Sequence, residues 1–232
     1  MHNGLKYQTL LFDLDGTIID SIPDVLHAFN RGLNDCGYDS VNEAELRTVI
    51  GRPLPDMLTA LGRHLSEKSY QLFYQSFRNN YGKPRYYGKF YPSMLNLLQN
   101  LKQLGVKLAI VTTKGQEHAD EVCRFYGLDK ICHAIVGRQN HFKTKPAPDQ
   151  LYHALLVMGS DPSYLNACAM IGDTENDIVA GKAVGIATIG VTWGYRSMDE
   201  LKAAGAQYIV TSIRELELLL LDASEPALKQ TK

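Results

Sequence analysis

The sequence predicts an α/β protein, with a mostly parallel sheet covered by helices on both faces and a helical domain inserted after the first strand. Three observations carry this expectation. Short apolar runs alternate with stretches of helical spacing through most of the chain, as parallel βαβ crossovers require. Between about residues 20 and 86 the alternation stops and only helical patterns remain. Acids, a threonine and a lysine fall at the ends of predicted strands, the edge where an open α/β sheet receives ligands. The expected organisation is an α/β core of residues 1–19 and 87–232, with a helical domain of residues 20–86.

The first strand is expected over 8–13, where TLLFD runs continuously apolar up to its terminal acid and the chain breaks at Gly16. From Ile22 to about Tyr38, Val25, Leu26, Phe29 and Leu33 recur at helical intervals. Further helices are expected over 43–50, 53–61 and 66–81, separated by Gly51 and Gly62, with Pro53 suited to a helix start. After Pro84 comes the amphipathic stretch PSMLNLLQNLKQLG, closed by Gly105, and then the strand VKLAIVTT. A helix over 116–126 ending at Gly127, the strand CHAIVG and a helix over 148–158 follow. The strand CAMIGD, a helix over 175–184, the strands IATIGV and QYIVTS, and a helix over 213–221 complete the series. The tail after Asp222 is expected to fray.

At 232 residues, 45% hydrophobic and 21% charged, the chain has enough apolar content for a sizeable core. A net charge of −1 gives no reason to expect a nucleic-acid or membrane surface. The four cysteines are scattered, with no CxxC pair, which fits a reduced setting. The opening apolar run is too short for a signal peptide, and no stretch approaches the roughly 20 apolar residues that span a bilayer. A cytoplasmic location is therefore expected.

Four stretches carry candidate chemistry. Asp13 and Asp15 are two apart on extended chain, so both can serve one site, and Gly16 lets the chain turn. Close carboxylates need a hard cation or a shared proton between them. One can attack phosphorus while the other moves protons; the structural alternative is a capped Asp-Gly turn. Thr112, ending KLAIVT, could bind a phosphoryl oxygen, though threonine is common at strand ends. Lys145 in FKTKPAPD is a point charge suited to phosphate, with Lys143 a local rival and a surface lysine the alternative. Asp173 in GDTEND suits a hard cation, and Asp177 one turn later could hold a metal-bound water or the lysine, or serve only a helix start.

The order DxDGT, strand-end Thr, KPxP and GDxxxD, from Phe12 to about Tyr195, resembles the four motifs of the haloacid-dehalogenase superfamily phosphohydrolases. That resemblance implies a Rossmann-like core and a helical cap that closes over substrate. It makes Asp13 the nucleophile, Asp15 the general acid/base, and Thr112, Thr113 and Lys145 the phosphate-binding residues. Asp13, the Asp15 backbone carbonyl and Asp173 would hold Mg2+, supported by Asp177. Dehalogenases lack an acid at the position of Asp15, so phosphate chemistry is favoured. Phosphonatases use a cap lysine, and only Lys68 and Lys83 are available for that role.

The stretches DGTIIDSIPDV, VIGRPL, VTTK, KPAPD and GDTENDIVAGKAVGIATIGVTWGY look most like phosphoglycolate phosphatases. Thr113 stands where many of those relatives carry Asn, and Gln139 where they often carry an acid. The implied activity is Mg2+-dependent hydrolysis of a phosphate monoester through an aspartyl-phosphate, with 2-phosphoglycolate first among substrates. Pyrophosphate or sugar phosphate hydrolysis, a β-phosphoglucomutase-like phosphotransfer and a non-catalytic role remain as alternatives. The implied partner is a small phosphorylated metabolite; a monomer and a dimer are both open. Arg52, in a Gly-Arg-Pro turn, is the candidate for a substrate carboxylate or second phosphate.

Overall fold

The computed structural model describes residues 5–82, 86–160 and 162–221. The expected fraying after Asp222, and the residues Lys83 and Pro84, lie outside them. The chain forms two compact units, one of residues 1–19 and 90–232 and the other of residues 20–89.

In the first unit the strands are β1 (Thr9–Phe12), β4 (Lys107–Gly115), β5 (Ala134–Arg138), β6 (Cys168–Gly172), β7 (Ala187–Val191) and β8 (Tyr208–Val210). Two short strands, β2 (Ile19–Asp20) and β3 (Lys89–Phe90), carry the chain out of this unit and back. The main sheet has the order β5-β4-β1-β6-β7-β8, and every neighbouring pair is parallel. All of β1 and β6 is buried, as strands covered on both faces must be. Flanking helices are α5 (Met94–Gln103), α6 (Gln116–Phe125), α7 (Asp149–Val157), α8 (Glu175–Val184), α9 (Met198–Ala204) and α10 (Ile213–Leu220). Leu11, Val111 and Met170 from three adjacent strands share one apolar cluster with Leu151 and Ala154 of α7.

From β1 the chain builds outward through β4 and β5, then returns to the other side of β1 for β6, β7 and β8. The order therefore reverses at β1. Carboxyl ends of strands at such a switch point form a natural crevice. Helix α9 has no counterpart among the sequence expectations, although its start is marked by a reciprocal cap between Ser197 and Glu200 and its end by Gly205.

The second unit holds α1 (Ile22–Asp35), α2 (Glu43–Arg47), α3 (Leu54–Ala60) and α4 (Glu67–Asn80). α1 packs on α4 where Gly32 admits Phe73: a Cβ at Gly32 would lie 2.7 Å from the Phe73 ring. Phe29 meets the same ring edge-on, with centroids 5.2 Å apart. α1 ends at Asp35, short of the expected Tyr38, because Gly37 turns the chain out at φ 79°. α2 stops at Arg47 instead of continuing to Ile50. There the Thr48 hydroxyl donates to the Glu45 carbonyl, offering the backbone an alternative to another helical turn. The buried Asp24 carboxylate accepts the backbone N–H groups of Tyr87 (2.7 Å) and Gly88 (3.0 Å), holding the returning segment against the first turn of α1.

Candidate active site

Asp13 directly follows β1, Asp173 directly follows β6, and the Asp13 N–H donates to Ile171 of β6. Asp177 lies in the first turn of α8, one helical turn beyond Asp173. Oxygens of Asp13, Asp173 and Asp177 all lie within 4.8 Å of one another, and all three residues are buried. Lys145 reaches this cluster from the loop before α7. Its ammonium donates to Asp13 Oδ1 at 2.7 Å, Asp177 Oδ1 at 2.5 Å and the Val111 carbonyl at 2.7 Å. The rival Lys143 is exposed.

Asp177 is held from its other side by the Thr174 N–H (3.1 Å) and hydroxyl (2.8 Å). The helix-start reading and the lysine-holding reading therefore describe the same carboxylate. Asp173 accepts the Thr17 hydroxyl on Oδ1 (2.8 Å) and the Tyr195 N–H on Oδ2 (2.8 Å). Gly16 and Gly194 press bare backbone against it: a Cβ built at either would come within 2.3 Å of Oδ2. Gly16 also requires its φ of 84° to turn the chain out of β1. Neither Thr17 nor the 194–195 backbone is among the sequence candidates. Thr17 was visible within DGT, but the 194–195 contact depends on how a distant loop folds back.

Asp15 stands apart from the cluster. Its carboxylate faces Lys114, with Nζ 3.0 Å from Oδ2. It remains close enough to add to the upward pressure on Asp13. Thr112 is buried, and its hydroxyl oxygen accepts the Lys114 N–H at 3.2 Å, leaving its proton available to donate. Thr113 is exposed. Gln139 donates to Gln116 Oε1 at 3.0 Å, and the same oxygen accepts the Gly137 N–H at 2.7 Å. A carboxylate at 139 could not donate there, which gives the glutamine a local reason. Arg52 is exposed on the turn between α2 and α3 of the helical unit, and Lys68 is exposed on α4.

Burial, with Asp177 and Asp15 adding negative charge, pushes the Asp13 carboxyl up to about 7 against the opposing pull of Lys145. Asp173 is held well above the ordinary carboxylate range, first by burial and then by Asp13 and Asp177. Burial works to lower the Lys145 ammonium, but Asp13 and Asp177 override it and raise it above the usual lysine value. Among the described residues no cation pairs with Asp173. Three buried carboxylates, of which one ammonium pairs with two, are short of positive charge, and their donors are all oxygens. This donor set fits a hard divalent cation.

Comparison with known proteins agrees with this architecture. The pattern of the family described as haloacid dehalogenase-like hydrolase matches residues 10–191. The chain is 28% identical over 224 residues to a phosphoglycolate phosphatase of Haemophilus influenzae, covering 93% of this chain and 99% of that one. It is 33% identical to a phosphoglycolate phosphatase of Neisseria meningitidis serogroup A, with 90% and 92% covered. A crystal structure of a predicted phosphoglycolate phosphatase from Haemophilus somnus superposes with a TM-score of 0.80 at 26% identity, covering 92% of this chain and 98% of that one. The matched pattern runs from β1 through β7 and contains every residue of the carboxylate cluster, so the chain belongs to the haloacid dehalogenase-like hydrolases and, within them, to the phosphatases.

Proposed function

We propose that this phosphatase hydrolyses a small phosphate monoester, 2-phosphoglycolate first among substrates, through a phosphoryl group carried on Asp13. The observation that carries this reading is the convergence of Asp13, Lys145, Asp173 and Asp177 in one buried cluster at the switch point of the sheet. The substrate is suggested by the phosphoglycolate phosphatases to which the chain is similar along most of its length.

In this reading an Asp13 oxygen attacks phosphorus while the ester P–O bond breaks. Asp15 gives its proton to the departing oxygen, then takes one from the water that releases phosphate from Asp13. Lys145 keeps Asp13 oriented and offers positive charge to the phosphoryl oxygens, and the Thr112 hydroxyl donates a hydrogen bond to one of them. Thr113, exposed at the strand end, is a further phosphate contact. Asp13, the Asp15 backbone carbonyl and Asp173 hold Mg2+, with Asp177 keeping Lys145 in place. Bound Mg2+ supplies the positive charge that lets a phosphate dianion approach the carboxylates. The helical unit of residues 20–89 selects the remainder of the substrate, with Arg52 meeting its carboxylate.

The test is phosphate release across a panel of phosphorylated metabolites, with and without Mg2+, on the wild type and Asp13→Asn. Expected is Mg2+-dependent release led by phosphoglycolate, with no sugar isomerisation, and a loss of at least ~10^3-fold in the variant. Unchanged hydrolysis by Asp13→Asn would remove the covalent route. A sugar phosphate isomerised in preference to hydrolysis would replace this reading by phosphotransfer.

A further inference from the structure

We propose that Lys114 is a positioning residue for the Asp15 carboxyl and so governs which leaving groups the enzyme can expel. The proposal rests on the proton-transfer role given to Asp15 above.

Lys114 reaches Asp15 because the sheet is irregular at that point. β4 and β5 pair residue for residue from Ala109 with Ala134 to Val111 with Val136. The next pair is Gly115 with Arg138, four steps along β4 against two along β5. The surplus pushes Thr112, Thr113 and Lys114 out of the ladder, and bulges of this kind re-aim side chains. Neighbouring side chains secure the displaced backbone. The Val111 carbonyl accepts Lys145 Nζ at 2.7 Å, the Thr112 carbonyl accepts Gln150 Nε2 at 2.8 Å, and the Lys114 N–H donates to Thr112 Oγ1 at 3.2 Å. The bulge is thus fixed by Lys145 itself and by Gln150 in the first turn of α7.

The result is an ammonium 3.0 Å from Asp15 Oδ2, with the Lys114 side chain only 12% exposed and that of Asp15 21%. A carboxyl rotates through a broad range about its terminal torsion. Contact on Oδ2 restricts that rotation and leaves Oδ1 for proton transfer. In the first step a bond forms between an Asp13 oxygen and phosphorus, the ester P–O bond breaks, and the Asp15 proton ends on the leaving oxygen. Lys114 exchanges no atom. An alkoxide needs that proton to depart, whereas a stabilised aryloxide does not. In this first step, misplacing the Asp15 carboxyl therefore penalises alkyl esters selectively, whereas the later attack of water on the Asp13 phosphate is common to every ester. A lysine that only stabilised the fold would affect both classes alike.

The experiment measures kcat/KM, which reports the first phosphoryl transfer and not the later hydrolysis of the Asp13 phosphate that every substrate shares, for ethyl phosphate, 2-phosphoglycolate and p-nitrophenyl phosphate at saturating Mg2+, using wild type, Lys114→Met and Asp15→Asn. Lys114→Met is expected to lose roughly 10–100-fold on both alkyl esters and to stay within about threefold on the aryl ester. Equal losses on alkyl and aryl esters overturn the proposal. So does a loss confined to phosphoglycolate, which would make Lys114 a contact for the substrate carboxylate. If Lys114→Met fails to fold, Lys114→Leu, which also lacks both charge and donor, carries the same comparison. Asp15→Asn separates the two layers of the argument. If it lacks the alkyl–aryl split, the Asp15 reading fails; if it shows the split and the Lys114 variant does not, only the Lys114 proposal fails.

Discussion

Asp173 is buried against two glycines, with one hydroxyl donor on Oδ1 and one backbone donor on Oδ2. Such a carboxylate is sensitive to small changes in its surroundings. In Gly16→Ala the new methyl would sit 2.3 Å from Oδ2, on a residue held at φ 84°. Either the turn or Asp173 must shift, and a displacement near 1 Å at a reacting centre costs about 100-fold in rate. We expect Gly16→Ala to fold, by circular dichroism, and to lose kcat on that scale; wild-type kcat would refute the close-approach argument. Thr17→Val keeps shape but removes the donor to Oδ1. Outer-shell hydrogen bonds of this kind are worth about 10–100-fold in metal affinity. The variant should need correspondingly more Mg2+ for half-maximal thermal stabilisation, and an unchanged titration would count against Asp173 as a ligand. At this scale the acids were legible because a charge ending an apolar strand has no place in a core. Lys114 was not, because nothing in VTTK distinguishes an aimed lysine from a solvated one.

The elements were legible where length and pattern agreed, as in β1 and α8, whose run and period are read within a single segment. They were not legible where the outcome depends on a partner. The slip of β4 against β5 has no mark in KLAIVTTKG, which reads as one continuous strand. Helix α9, seven residues long, has an apolar face too short to show a period, although Ser197 and Glu200 form its capping box. The start of α5 yields a prediction of its own. Its cap residue, Ser93, is exposed, lies at φ 70° and makes no side-chain capping bond. A left-handed conformation costs a residue with Cβ roughly 1–2 kcal/mol, only partly offset by the extra chain entropy of glycine when unfolded. Ser93→Gly should therefore raise stability by up to about 1 kcal/mol in urea unfolding. A lower midpoint would mean that the serine makes up the strain in some other way.

At the scale of the whole molecule, alternation in the sequence implied parallel crossovers but not their order. The order decides the site, because β1 lies between β4 and β6 and so brings Asp13 beside Asp173. That placement concentrates negative charge in the interior, and metal-free stability should reveal it. Asp13 has an ordinary value of 3.8 and a folded value of about 7, and Asp173 shifts in the same direction. Between those values the folded state keeps a proton that the unfolded chain has already released. Because the native state binds more protons there, the unfolding free energy falls as pH rises through this window. In chelator, the melting temperature should decline from pH 5 to pH 7.5. Mg2+ competes with protons for the same oxygens, so the stabilisation it adds should be larger at pH 7.5 than at pH 5 and should be accompanied by proton release. Asp13→Asn removes one of the shifted groups and should flatten the chelator profile. If Mg2+ gave the same melting shift at both pH values, its binding would displace no proton, and the raised carboxyls of Asp13 and Asp173 could not be its ligands.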